Sequence, residues 1–385
     1  MRAEGPLQRD PRRRGPAAAA FTGLLMTVCC VAGVTAQEAL PPPDSSSAAP
    51  GNTLVPLPAL FYQPETGTGF GGLATYYFRP GAAKGRSVPP SEFGGSAIYT
   101  TRKQILTSLS TRLYLSGGTL RLAGSVAFNK FPTKFWGIGN ETPESAEEDY
   151  TPLTFAALAE GLREVRRGWY VGARLQVAHR TLREVSDSGQ LVTGTVPGSA
   201  DGRIVEGTLL VTWDTRDNTI YPTRGRYHQL GLLGAGAGLL SDFGYGGTRL
   251  DMRQYVSPVR RHVLAFRVLG DARTGTPPFE LLPQLGGDVL LRGYYQGRFR
   301  DQVMVALQSE YRFPVIWRIG LVAFAEAGQV APRLDDVVLD AFKASLGGGL
   351  RFLLSPKEGL NVRADYGYGF DVKSGGFYLA IGEAF

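Results

Sequence analysis

Apolar and polar residues alternate with a period of two along most of this sequence. From Leu54 to the end, segments of about 9–13 residues show this alternation, and clusters of Gly, Pro, Asp and Asn separate them. In the segment 316–329, Trp317 and Ile319 share one side, whereas Arg318 and Glu326 share the other. No sustained 3.6-residue period is present. The pattern predicts an all-β fold, a transmembrane antiparallel β-barrel with apolar side chains toward lipid and polar side chains toward the lumen.

The segments and their connections predict sixteen strands, an even number as in single-chain outer-membrane barrels. The expected strands are 54–63, 67–79, 92–102, 104–115, 118–131, 151–163, 167–181, 203–214, 224–236, 246–257, 260–271, 301–312, 316–329, 343–354, 359–370 and 376–385. From the fourth strand onward short and long connections alternate. The stretch 80–91 is long for a periplasmic turn, so the first three strands are less regular and fourteen strands remain an alternative. A soluble β-sandwich also alternates, but it would not need the leader described next.

Residues 1–36 have the pattern of a signal peptide. An Arg-rich start precedes an apolar run, and Val34-Thr35-Ala36 is a small-residue cleavage pattern. A single membrane anchor is the alternative. Both cysteines, Cys29 and Cys30, lie in this segment, so the mature chain is expected to contain no disulfide framework and no thiolate metal site. Residues 37–53, rich in Pro, Ser and Ala, are predicted to be a disordered periplasmic segment, and 54–385 the barrel.

The charge of the mature chain does not indicate a nucleic-acid partner. The sequence has 41 basic and 34 acidic residues, and removal of residues 1–36, with five Arg and two acidic residues, leaves 36 against 32. A net charge near +4 over this length is small.

One loop, from about 272 to 300, is far longer than a hairpin loop of roughly 2–5 residues. It is apolar for an exposed segment and contains Leu291-Arg292-Gly293-Tyr294. We expect it to fold into the lumen and close the pore, with the Arg292 guanidinium between Glu310 and Glu326 on the lumen face. Gly293 would let the backbone approach the wall, and Tyr294 would lie against it. The alternative is a solvated Arg on an external loop.

Four motifs resemble the barrel of the BamA/TamA superfamily, also called the bacterial surface antigen domain. They occur in the family's order and comprise Asp214-Thr215-Arg216-Asp217-Asn218 with Pro222-Thr223-Arg224-Gly225, the loop around Leu291–Tyr294, Gln308–Pro314, and Phe324-Ala325-Glu326-Ala327-Gly328. The resemblance implies that the loop joins strands eleven and twelve, and that Phe324, Glu326 and Gly328 form its wall site. Glu326 stands where the family has Asp, and its one extra methylene is expected to preserve the pairing with Arg292 while shifting its geometry.

Two further motifs have a structural interpretation. Asp214, Arg216, Asp217 and Asn218, followed by Pro222 and Gly225, are predicted to form a periplasmic turn network rather than a metal or acid–base site. In the last segment, Phe377, Leu379, Ile381 and Phe385 are expected on one face of a strand. A final aromatic strand resembles the recognition signal of the barrel assembly machinery, which is therefore an expected partner during biogenesis.

The sequence favours transport over catalysis. Its three histidines, His179, His228 and His262, have no nucleophile motif beside them, so no catalytic residue, cofactor or metal is predicted and the chain is not expected to be an enzyme. With only residues 37–53 before the first strand, the resemblance points to the subgroup without POTRA domains. We expect a role in protein or lipid transport or insertion in contact with outer-membrane lipid and lipopolysaccharide, with an unknown periplasmic partner as one option. The alternative is a passive, porin-like channel or a structural surface barrel.

Overall fold

The computed structural model describes residues 52–79, 88, 90–238, 240–355 and 360–385. The predicted signal peptide, and the predicted disordered segment up to residue 51, lie outside the described residues. Within the described ranges the chain forms sixteen long strands. They are β1 Thr53–Gln63, β2 Gly67–Phe78, β3 Ser91–Thr100, β4 Ile105–Leu115, β5 Leu120–Lys130, β6 Glu148–Arg166, β7 Trp169–Arg183, β8 Gly202–Asp214, β9 Gly225–Ala235, β10 Tyr245–Val256, β11 Val263–Gly275, β12 Val303–Ile316, β13 Ile319–Ala331, β14 Lys343–Ser355, β15 Leu360–Gly369 and β16 Ser374–Ile381.

Each strand pairs antiparallel with the next, and β1 meets β16 to close the barrel. The prediction of sixteen strands is therefore confirmed and fourteen is wrong. The first three strands also lie where the sequence placed them. The largest boundary errors are four residues, at the ends of three strands: β11 ends at Gly275 and not at 271, β12 at Ile316 and not at 312, and β16 at Ile381 and not at 385.

The two faces of the wall separate by polarity as the alternation requires. On β13, Ala323 and Ala325 face outward, whereas Val322, Phe324 and Glu326 are buried on the inside. Many other outward side chains are large and apolar, and charged residues collect inside because a charge in hydrocarbon costs several kcal/mol. The described residues contain no helix long and apolar enough to cross a membrane.

The barrel has one end with tight turns and one end with long loops. The tight turns include Arg167-Gly168 between β6 and β7 and Trp317-Arg318 between β12 and β13. At the opposite end, the β5–β6, β7–β8 and β11–β12 loops pack together through a cluster of apolar side chains. This cluster contains Phe135, Tyr150, Leu182, Leu191, Val196, Phe279 and Leu282. The loops thus form an apolar cap over the external end, and the β11–β12 loop continues from it into the lumen.

Candidate functional site: a loop held in the barrel lumen

The loop between β11 and β12, residues 276–302, is named the luminal loop here. A two-residue antiparallel ribbon, Gln284–Leu285 with Phe299–Arg300, joins the two arms of the loop at its base. Its apolar side chains pack on the inside of the wall in a cluster of Leu269, Leu285, Leu290, Leu291, Tyr294, Phe299, Met304, Ala306 and Val330. Leu285 lies against Gly328, where an added Cβ would come within 2.7 Å of it. Gly328 therefore leaves the space that the loop occupies.

Arg292, at the tip of the luminal loop, is completely buried, with a relative exposure of 0%. Its Nε and Nη2 donate to Glu326 Oε1 at 3.0 and 2.7 Å, and Nη2 also donates to Glu310 Oε1 at 2.6 Å. Nη1 donates to Asp365 Oδ2 at 2.9 Å. The guanidinium carbon lies 3.5 Å from the centre of the Phe324 ring. Three carboxylates on three strands and one aromatic face thus surround a single cation.

Glu326 holds the loop backbone as well as its side chain. Its Oε2 accepts the Arg292 backbone N–H at 2.5 Å, and Oε1 also accepts Gln308 Nε2 at 2.9 Å. The additional methylene of Glu, relative to the Asp of the resembling family, leaves both oxygens within reach of the loop. The departure noted in the sequence is therefore compatible with a direct pairing.

Asp365 was not recognised from the sequence as a partner of Arg292. It also accepts hydrogen bonds from Arg351 and from Arg363, whose Nη1 lies 3.1 Å away. Arg363 in turn donates to Asp288 of the luminal loop at 2.6 Å. The alternation along residues 359–370 predicts that Asp365 and Arg363 face the lumen. Which lumen-facing side chain meets the loop depends on barrel curvature, which a strand pattern does not contain.

Gly293 and Tyr294 fasten the loop to the last strands. Gly293 has a φ of 106°, and a Cβ there would lie 2.7 Å from the Gly369 backbone nitrogen, so a larger residue would clash. The Gly293 N–H donates to the Tyr378 hydroxyl at 2.9 Å, and the Tyr294 hydroxyl donates to Asp371 at 2.7 Å. The tip of the loop is thereby connected to the strand that closes the barrel.

The strand seam between β1 and β16 is short. Among the described residues these strands are in register at Tyr62 opposite Leu379, whereas β1 pairs with β2 from Thr53 to Gln63. The reason is the length of β16, because Gly382, with a φ of 86°, turns the chain inward directly after Ile381. The first half of β1 therefore extends beyond the end of its neighbour.

The prediction that Phe385 lies on the last strand, on the same face as Phe377, is wrong. After Gly382 the chain enters the lumen, where Glu383 Oε2 accepts Arg351 Nε at 2.7 Å. Phe385 is buried, 6% exposed, and its carbonyl oxygen accepts Arg312 Nη2 at 2.8 Å. Phe377 does lie on the outer face, with its ring centre 6.0 Å from that of Tyr62 across the seam.

The residues of the predicted turn network lie between β8 and β9. Asp214 pairs with Arg216 Nε at 3.0 Å, and Asp217 Oδ1 accepts the Asn218 N–H at 3.0 Å and the N–H groups of Thr223 and Arg224. Pro222 lies between these donors in the same turn. Gly225, with a φ of 99°, starts β9. Within the described ranges no group of three or more His, Cys, Asp or Glu side chains is arranged to hold a metal ion.

Sixteen antiparallel strands with an apolar exterior and a charged, loop-filled lumen define a transmembrane barrel of the outer-membrane type. Residues 90–385 match the Omp85 superfamily domain, and the chain belongs to that superfamily. It is therefore a protein of the bacterial outer membrane, and the resemblance to the BamA/TamA barrels seen in the sequence is confirmed. A search of curated proteins gave no match.

Solved structures agree on the fold. BamA from Haemophilus ducreyi lacking POTRA domains 1–3 is similar with a TM-score of 0.61 and 15% identity, covering 87% of this chain and 70% of that chain. CdiB from Acinetobacter baumannii gives 0.55 and 13%, covering 86% of this chain and 59% of that one. CdiB from Escherichia coli gives 0.58 and 8%, covering 87% and 64%. This chain spans less than two thirds of either CdiB.

Glu65, in the β1–β2 turn, is a further link between the seam and the luminal loop. It is 1% exposed, and its Oε1 accepts the Gln296 backbone N–H at 2.7 Å. Burial raises the pKa of Glu65 from 4.5 to about 7, and nearby Asp288 acts in the same direction while Arg102 opposes it. Because the folded barrel holds this proton more tightly than the unfolded chain does, the stabilisation is complete below pH 4.5 and is lost as the pH rises through about 7.

Glu65→Gln should remove this dependence. Raising the pH from 5 to 8 should lower the free energy of unfolding of the wild type by up to about 3 kcal/mol more than that of the variant. The measurement is urea unfolding in detergent micelles at both pH values. Glu184→Gln is the matched control, since the exposed Glu184 carboxyl has a lowered pKa and titrates below this window. If the free energy of unfolding depends on pH equally in the wild type and in Glu65→Gln, the raised pKa of Glu65 is not the cause of the dependence.

Proposed function

We propose that this barrel aids the transport or insertion of protein or lipid at the outer membrane, with the luminal loop as a plug and the β1–β16 seam as a lateral opening. The observation that carries the proposal is the combination of a filled lumen with a seam held at Tyr62 and Leu379. A barrel closed along its axis but weakly closed in its wall is suited to moving a substrate sideways into the membrane. The fold shared with BamA and CdiB supports this reading.

The contacts of Arg292 support the role of the loop as a tethered plug. Removing one partner from a buried ion pair typically costs about 3–5 kcal/mol because it leaves a charge without compensation. Arg292 has three such partners, Glu310, Glu326 and Asp365, on β12, β13 and β15. The loop is therefore held to three strands at once, and releasing it requires that all three pairings be lost or exchanged.

The geometry of β1 supports the role of the seam as an opening. An unpaired strand edge is a template for another strand and is unfavourable in contact with lipid. From Leu54 to Ala59, β1 extends beyond the end of β16, because the chain turns into the lumen at Gly382. This edge can accept a strand of a substrate by β-augmentation, with backbone hydrogen bonds supplying the affinity.

The aromatic residues of the final segment have different accessibilities in the folded barrel. Phe377 faces lipid, whereas Phe385 is enclosed by the lumen wall. If both belong to an assembly signal, the machinery reads Phe385 before the barrel closes. The same outer surface contacts outer-membrane lipid and lipopolysaccharide, and a periplasmic partner remains a further prediction.

Arg292→Ala should open the lumen. In planar bilayers we expect low, intermittent conductance from the wild type and a severalfold higher, longer-lived conductance from the variant, because the loop tip loses its tether. Arg174→Ala is the matched control, since Arg174 also faces the lumen and pairs with Glu160 at 2.6 Å but does not contact the loop. A large, steady, ion-selective current that is the same in all three proteins would instead favour a passive channel.

A disulfide across the seam should block the proposed activity. Tyr62→Cys with Leu379→Cys joins residues that are directly opposite, within the geometry that a disulfide needs. Under oxidising conditions the variant should lose lipid scrambling in liposomes and insertion of a substrate barrel, and reductant should restore both.

The control for the seam is Leu109→Cys with Val126→Cys, an outward-facing opposite pair on β4 and β5. This disulfide should leave both activities unchanged. Activity that survives oxidation of the seam pair would exclude opening at this place. Absence of activity in the wild type above empty liposomes would argue against transport altogether.

A further inference from the structure

The outer surface of β12–β16 carries a hollow in the lipid-facing wall. Its floor consists of small residues on three adjacent strands, Ala323 on β13, Gly348 on β14 and Ala364 on β15. Ala323 lies directly opposite Gly348, and Ala364 is displaced from Gly348 by two residues along β15. Three neighbouring strands therefore lack large side chains along one diagonal line.

Large apolar side chains stand on both sides of this floor. Leu321 and Leu350 border it toward the tight-turn end, and Tyr366 and Phe377 border it on the other side. Leu350 and Tyr366 are 55% and 54% exposed, so they project outward and give the hollow its depth. Its volume is about 380 Å³, and it is shallow and open toward the membrane.

The lining of the hollow is mostly hydrocarbon, and Tyr366 also belongs to it. Asp365 borders it only from behind, since its carboxylate is directed into the lumen and accepts Arg292 and Arg351 there. A side chain or ligand with a charge would gain no partner in the hollow. A flexible apolar chain can fill it and recover the packing that an empty space would lose.

We propose that this groove binds one acyl chain of an outer-membrane lipid. Its position in the lipid-facing wall of a membrane barrel places it among acyl chains and away from water. The groove is continuous with the seam, because Phe377 forms its wall and meets Tyr62 of β1. The bound chain therefore lies beside the strand pair at which the barrel wall is weakest.

Native mass spectrometry of the full barrel in detergent, with added phosphatidylethanolamine, tests the proposal. The wild type should retain one lipid at collision energies that remove the others. Ala323→Leu and, separately, Ala364→Leu should each lower that affinity about tenfold, since the new side chain displaces roughly two methylene groups of the ligand. The retained lipid should be displaced by palmitate and by lysophosphatidylethanolamine, but not by glycerophosphoethanolamine, which has the headgroup without a chain.

Ala173→Leu is the matched control, because Ala173 is an exposed small residue on the lipid-facing side of β7, outside the groove. It should bind lipid like the wild type. Heat-dependent migration in SDS electrophoresis should show that all variants are folded. Equal retention by the wild type and both filled variants would overturn the proposal, as would displacement by the headgroup alone. A second copy of the chain in place of the lipid, seen as a dimer that Ala323→Leu disrupts, would also overturn it.

Discussion

The burial of the Arg292 guanidinium is the constraint on which the lumen depends. An arginine remains charged in a protein, so its transfer from water is unfavourable unless carboxylates compensate for it in good geometry. Here that compensation comes from three strands, β12, β13 and β15, and their carboxylates are in turn balanced by arginines. Arg312 pairs with Glu310, and Arg351 and Arg363 pair with Asp365. A shift of register by one residue in any of these strands would move its charged side chain to the lipid face.

Because of the same constraint, the loop reinforces some strand contacts of the barrel and not others. The luminal loop ties β12 to β16 together, whereas the contact between β16 and β1 is short. The luminal loop contacts both sides of this seam. The Gln296 N–H donates to Glu65 in the β1–β2 turn, and the Gly293 N–H donates to the Tyr378 hydroxyl on β16. A change in the loop is therefore positioned to act on the seam. In the function proposed above, the barrel would stay sealed along its axis while its wall opens at the seam.

Much of this arrangement follows from a two-residue period. The alternation predicted the strands and which residues face lipid or the lumen. It thereby identified Glu310 and Glu326 as lumen-facing partners for Arg292. It did not identify Asp365, because the meeting of β15 with the loop depends on barrel closure. It also placed Phe385 wrongly. The alternation continues past Gly382, but the positive φ of Gly382 turns the chain into the lumen at that residue. The residues that sequence reasoning missed are those fixed by curvature and by the meeting of distant segments.

A distance measurement tests most directly whether Arg292 holds the loop inside the lumen. Spin labels are attached at Val289→Cys in the loop and at Arg224→Cys in the β8–β9 turn, in protein without Cys29 and Cys30. Pulsed electron paramagnetic resonance then measures the distance between the two labels and so the position of the loop. We expect one narrow distance distribution in the wild type. Arg174→Ala should retain it, whereas Arg292→Ala should replace it with a broad distribution at longer distances. An unchanged narrow distribution with Arg292→Ala would contradict this expectation.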